Sequence, residues 1–111
     1  MSKQITSNSK RWAGTVTLSD PLTIPQAQAI EAGLKPPQGG EDGKIWLSVI
    51  DANQLPAVIA CVEKWELTGF PEVVTVDNFP ASPRKESHAF IEWLFREILN
   101  IYSGEAEIPN A

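Results

Sequence analysis

The chain has 111 residues, 42% hydrophobic and 21% charged, with a formal net charge of -5. That length predicts one domain with a real core, and the acidic balance with scattered basic residues disfavours a grip on nucleic-acid phosphates. No run nears the roughly 18 consecutive apolar residues of a membrane helix, the N-terminus lacks the apolar centre of a signal peptide, and the lone Cys61 allows no intrachain disulfide, so the expectation is a soluble intracellular protein that binds neither membrane nor nucleic acid.

Residues 1–11 are polar and aperiodic and read as a flexible terminus ahead of a single compact domain over 12–103. Within that domain 13–18 reads as a short strand, with Val16 and Leu18 on one face and Thr15 and Thr17 on the other, stopped by Asp20 and Pro21. Thr23-Ile24-Pro25-Gln26 has the form of a capping box, in which the threonine hydroxyl and the glutamine amide each serve the other's backbone. From it Ile24, Ala27, Ile30 and Leu34 mark one face of a helix, with Gly33 as a way out. The Pro- and Gly-rich stretch 35–43 reads as a surface loop. Over 44–50, Ile45, Trp46, Leu47, Val49 and Ile50 fit a buried strand and a turn or two of helix equally well. Leu55, Val58, Ile59, Val62 and Trp65 then recur at helical spacing and predict a helix over 54–67, with Pro56 in its first turn and Gly69 and Pro71 beyond its end. The β-branched run 73–76 predicts a second strand paired with 13–18.

The last helix is capped by Ser82, with Pro83 at its first position. Phe90, Ile91, Trp93, Leu94, Phe95, Ile98, Leu99, Ile101 and Tyr102 crowd it, leaving Glu92, Arg96 and Asn100 as its polar stripe. Gly104 closes it, and 104–111 form a short acidic tail. The whole reads as an α+β fold, predominantly helical, with three helices and a small two-stranded β element.

An enzyme would have to use very few residues. His88 is the sole histidine, so a two-histidine metal site is excluded, and grouping it with Asp77 and Ser82 or Ser87 leaves nothing to activate one hydroxyl. Pairing it with Cys61 needs an accessible thiol, whereas the neighbours of that cysteine are apolar. Gly39, Gly40 and Gly43 form no phosphate-binding pattern. No catalytic residue, cofactor or metal is therefore expected. The large rings point elsewhere: Trp46, Trp65, Trp93, Phe90 and Phe95 are many for so small a core. One side of the last helix, either that of Ile91, Phe95 and Ile98 or that of Phe90, Trp93, Leu94 and Tyr102, is thus left over as a candidate protein interface. Residues 77–84 join it, because Pro80 and Pro83 stiffen the backbone, Phe79 anchors it, and Arg84 is positioned to meet a partner's carboxylate.

WAGTVTLSDPLTIPQ near the start, LPAVIACVEKWELTGFPE in the middle and FPASPRKESHAFIEWLFREILNIYSGEAEIPN at the end resemble the small tail-assembly proteins of tailed bacteriophages and prophages. The likeness covers most of 12–110 through apolar, structural motifs. It implies a mainly helical tail assembly chaperone that keeps the tape measure protein soluble in the cytoplasm of the bacterial host while the tail tube assembles, offering the side of the last helix with Phe90, Trp93, Leu94 and Tyr102 to that protein or to further copies of itself. The competing expectations are a tail-completion or adaptor protein retained in the particle, which would use the same aromatic surface permanently, and a small soluble enzyme.

Overall fold

Local hydrogen bonding starts the fold as the capping box predicts. Thr23 N–H donates to Gln26 Oε1 at 2.8 Å and Gln26 N–H to Thr23 Oγ1 at 3.3 Å, while the Thr23 carbonyl accepts the first helical bond from Ala27. Gln26 also donates to Ser19 Oγ and to the Ala60 carbonyl, so one side chain ties together the end of a strand and the starts and ends of two helices. The computed structural model describes residues 2–34, 47–80 and 82–106, for 47–51 and 105–106 in backbone only. In chain order these form β1 (Ser2–Thr6), β2 (Gly14–Ser19), α1 (Ile24–Leu34), α2 (Leu47–Cys61), β3 (Val62–Leu67) and α3 (Arg84–Ala106).

The fold is α+β, with three helices as expected, but its antiparallel sheet has three strands in the order β1-β2-β3. The strand over 13–18 is observed as β2, and Val16 and Leu18 share its fully buried face. Its partners differ from the expected one. Residues 2–6, assigned to the flexible terminus, form β1 with Ile5 opposite Val16. The expected helix over 54–67 divides at Cys61: α2 begins earlier, so 47–50 are helical and Pro56 lies inside the helix rather than in its first turn. The remainder becomes β3, where Val62 and Leu67 turn inward and Glu63, Lys64 and Glu66 outward. A register shift between Thr17 and Leu18 leaves Glu63 without an opposite residue, and its carboxylate accepts hydrogen bonds from Ser2 and Ser19 across the sheet.

The strand predicted over 73–76 does not form. Asn78 Oδ1 accepts from Thr75 N–H at 2.6 Å, Thr75 Oγ1 accepts from Asn78 N–H at 3.2 Å, and Asn78 Nδ2 donates to the Val73 carbonyl. Side chains thus satisfy the backbone groups that a sheet ladder would have used, and the result is a turn that buries Val74 while leaving Val73 and Val76 exposed. In α1 the buried positions are Ile30 and Gly33, whereas Ile24 and Leu34 face out, so the expected apolar face is displaced. Gly33 does not end the helix. It is a contact point, because a Cβ there would stand 3.0 Å from both the Asn53 carbonyl oxygen and the Phe95 ring.

The cap of α3 falls one residue later than predicted, at Pro83, whose carbonyl accepts the first helical bond, from Ser87 N–H at 2.9 Å. The helix also continues through Gly104 to Ala106. The 35–43 loop, Trp46 and residues 107–111 of the acidic tail lie outside the described residues. Among the described residues no helix is long and apolar enough to cross a membrane.

Gly14 supplies a direct check on the β2–β3 pairing. Its φ of 139° and a clearance of 2.0 Å between an added Cβ and the Glu66 carbonyl oxygen leave no room for a side chain. Gly14→Ala is expected to lower the free energy of unfolding by at least about 2 kcal/mol, read as a shifted urea midpoint with an unchanged slope.

A candidate partner-binding groove

The six residues expected at an interface separate into two groups. Phe90 and Leu94 are almost wholly enclosed, and Phe79 is buried with them, so these three belong to the chain's own core and offer no free surface. The reason is an aromatic cluster that the linear sequence does not reveal. Trp12, from the β1–β2 connection, meets Phe90 at a centroid distance of 5.3 Å and Phe70 at 5.8 Å. Phe70 stacks on Trp65 at 5.4 Å and stands edge-on to Phe79 at 5.4 Å. Trp93 is half-buried against Phe90, and Tyr102 is half-buried with its hydroxyl donating to Glu31 Oε2 at 2.8 Å. That carboxylate partner, followed by burial and its negative charge, raises the phenol's pKa above its ordinary value.

Arg84 is exposed, and it lies where the chain leaves apolar surface uncovered. A groove of about 500 Å³ runs between α2, α3 and the 76–80 turn. Ala52, Leu55 and Pro56 line one wall, Arg84, Ser87 and Ile91 the other, and Val76, Asp77, Phe79 and Pro80 close the end. Val76 is 49% exposed on the rim. Ser87 is buried, and its Oγ is one of two enclosed side-chain polar atoms without a hydrogen-bond partner among the described residues, Gln54 Oε1 being the other. Sequence reasoning found Arg84 and Phe79 but missed Leu55, Val76, Ser87 and Ile91. The spacing of Arg84, Ser87 and Ile91 along one helical stripe was the available signal.

A larger hollow of about 760 Å³ lies between 8–11 and the start of α3, lined by Ser9, Lys10, Arg11 and Glu86. The Arg11–Glu86 ion pair spans it, with both side chains about half exposed (52% and 50%), a geometry worth at most about 1 kcal/mol. The polar stripe of α3 is wet as expected: Glu92 accepts from Arg96 at 3.4 Å and faces His88 at 3.7 Å. No cluster of His, Cys, Asp or Glu suited to a metal ion occurs among the described residues. Cys61 is fully buried at the end of α2, with Sγ 4.0 Å from the Gln26 carbonyl oxygen. Burial pushes its thiol up to about 11.

Comparison with family models, with curated proteins and with solved structures finds no match in any of the three.

A thiol raised to about 11 is almost entirely protonated at pH 8, and the thiolate is the reactive form. An aromatic disulfide reagent is therefore expected to label Cys61 slowly in the folded chain at pH 8, with a rate that climbs toward pH 11, and rapidly after denaturation. Fast labelling of the folded chain with a midpoint near pH 9 would contradict the buried assignment.

Proposed function

We propose that the chain is a non-enzymatic protein-binding module, a tail assembly chaperone of a tailed phage or prophage that covers apolar surface of the long helical tape measure protein in the host cytoplasm. The observation carrying this reading is the open groove, to which two helices contribute apolar side chains, Leu55 and Pro56 from α2 and Ile91 from α3, and whose rim includes the exposed Val76. Apolar surface arranged as a trough between helices suits a third helix laid into it. The resemblance of the three segments quoted above supplies the identity of that partner.

The mechanism needs no chemical step. Covering the groove and the partner's apolar stripe removes both from water, which stabilises the complex by roughly 25 cal/mol per Å² of apolar area before ordering costs are subtracted.

The test is co-expression with the tape measure protein from the same structural gene module. The unsubstituted chain is expected to keep it in the soluble fraction. Val76→Asp, which places a carboxylate on the rim without touching the core, is expected to lower the soluble yield about tenfold while leaving thermal unfolding of the chain unchanged. A tape measure protein equally soluble without the chain, or absent when the chain is purified, would overturn the reading.

A further inference from the structure

Building on the protein-binding reading, we propose that the groove receives an amphipathic helix carrying an apolar side chain and, one turn away, a carboxylate that Arg84 and Ser87 hold together. Three features of the groove specify this occupant.

The walls are two helical stripes. Positions 52, 55 and 56 on α2 and positions 84, 87 and 91 on α3 follow the spacing that puts residues on one face of a helix. Their trough accommodates a helix more readily than a flat strand, because ridges of side chains from the incoming helix seat between the two existing rows.

The α3 wall also carries two donors one turn apart. Arg84 is exposed, always charged, and makes no ion pair among the described residues. Ser87 lines the groove and has a buried hydroxyl without a partner among the described residues, which is costly to maintain. Side chains at i and i+3 are neighbours on a helix, so a single carboxylate can accept from both the guanidinium and the hydroxyl. A neutral amide would satisfy Ser87 but offer Arg84 an uncharged and therefore weaker acceptor.

Asp77 also lines the groove, from the turn, and is the one acidic side chain among its described lining residues, so a basic group on the bound helix has a counterpart there.

The experiment uses the full chain and a fluorescent synthetic amphipathic helix of about 18 residues, long enough to hold helical structure. It bears a central leucine, a glutamate one turn before it and a lysine one turn after. Fluorescence anisotropy is expected to show the Glu→Gln peptide binding about tenfold more weakly than the Glu peptide. Arg84→Ala should erase that difference, and Arg84→Glu should invert it in favour of a Lys peptide. Ser87→Ala should melt at a higher temperature than the unsubstituted chain, since the orphan hydroxyl is gone, yet lose part of the Glu preference. Equal binding of Glu and Gln peptides, or a Glu preference that survives in Arg84→Ala, would overturn the inference.

Co-expression separates this inference from the chaperone reading. If Arg84→Glu keeps the tape measure protein as soluble as the unsubstituted chain does, the inference falls and the chaperone reading stands. If the unsubstituted chain fails to solubilise it while retaining the Glu preference for peptide, the chaperone reading falls and the inference stands.

Discussion

The aromatic cluster at the start of α3 is the constraint on which the rest of the structure depends. Trp12, Phe70, Phe79 and Phe90 come from four separate segments, namely the β1–β2 connection, the exit of β3, the turn before α3, and α3 itself. Each ring pair adds about 0.5–1.5 kcal/mol beyond the area it buries, and its edge or stacked geometry fixes angles as well as distance. With Phe90 drawn into this cluster, the rotation of α3 about its axis is set. Leu94 and Ile98 then continue the buried stripe, and Arg84, Ser87 and Ile91 fall along the groove.

The turn at 75–78 completes that arrangement. Its Thr75–Asn78 hydrogen bonds end extended backbone and carry Phe79 inward to meet Phe70 and Trp65. The same turn leaves Val76 outside, on the groove rim. The groove is thus shaped by two devices, a long-range ring cluster and a local turn satisfied by side chains.

These relations explain what could be read from the chain and what could not. The capping box was legible because it is local: four residues contain both partners. The burial of Val16 and Leu18 was legible because alternation shows it directly. β3 was hidden because Val62 and Trp65 happen to extend the helical spacing of Leu55, Val58 and Ile59, while a bulge at Glu63 spoils the alternation that would mark a strand. β1 carries a single large apolar residue, Ile5, so nothing distinguished it from a frayed terminus until its pairing with β2 was seen. The reading of 73–76 followed β-propensity, which yielded to hydrogen bonding by Asn78. Of the site, Arg84 and Phe79 were visible from the proline-stiffened approach to α3. The groove itself was not, since its other wall comes from α2, well separated in sequence from the turn and α3.

The excess of apolar residues on α3 therefore has a different meaning from the one its sequence suggests. Phe90 and Leu94 are covered by the chain itself, and the apolar surface left open lies beside them in the groove. The most direct test is to measure both stability and partner binding for Phe90→Ala. An internal Phe90 predicts a loss of about 3–5 kcal/mol in unfolding free energy, with any loss of binding tracking the unfolded fraction. A variant that unfolds like the unsubstituted chain but no longer binds its partner would place Phe90 at the interface and contradict the account.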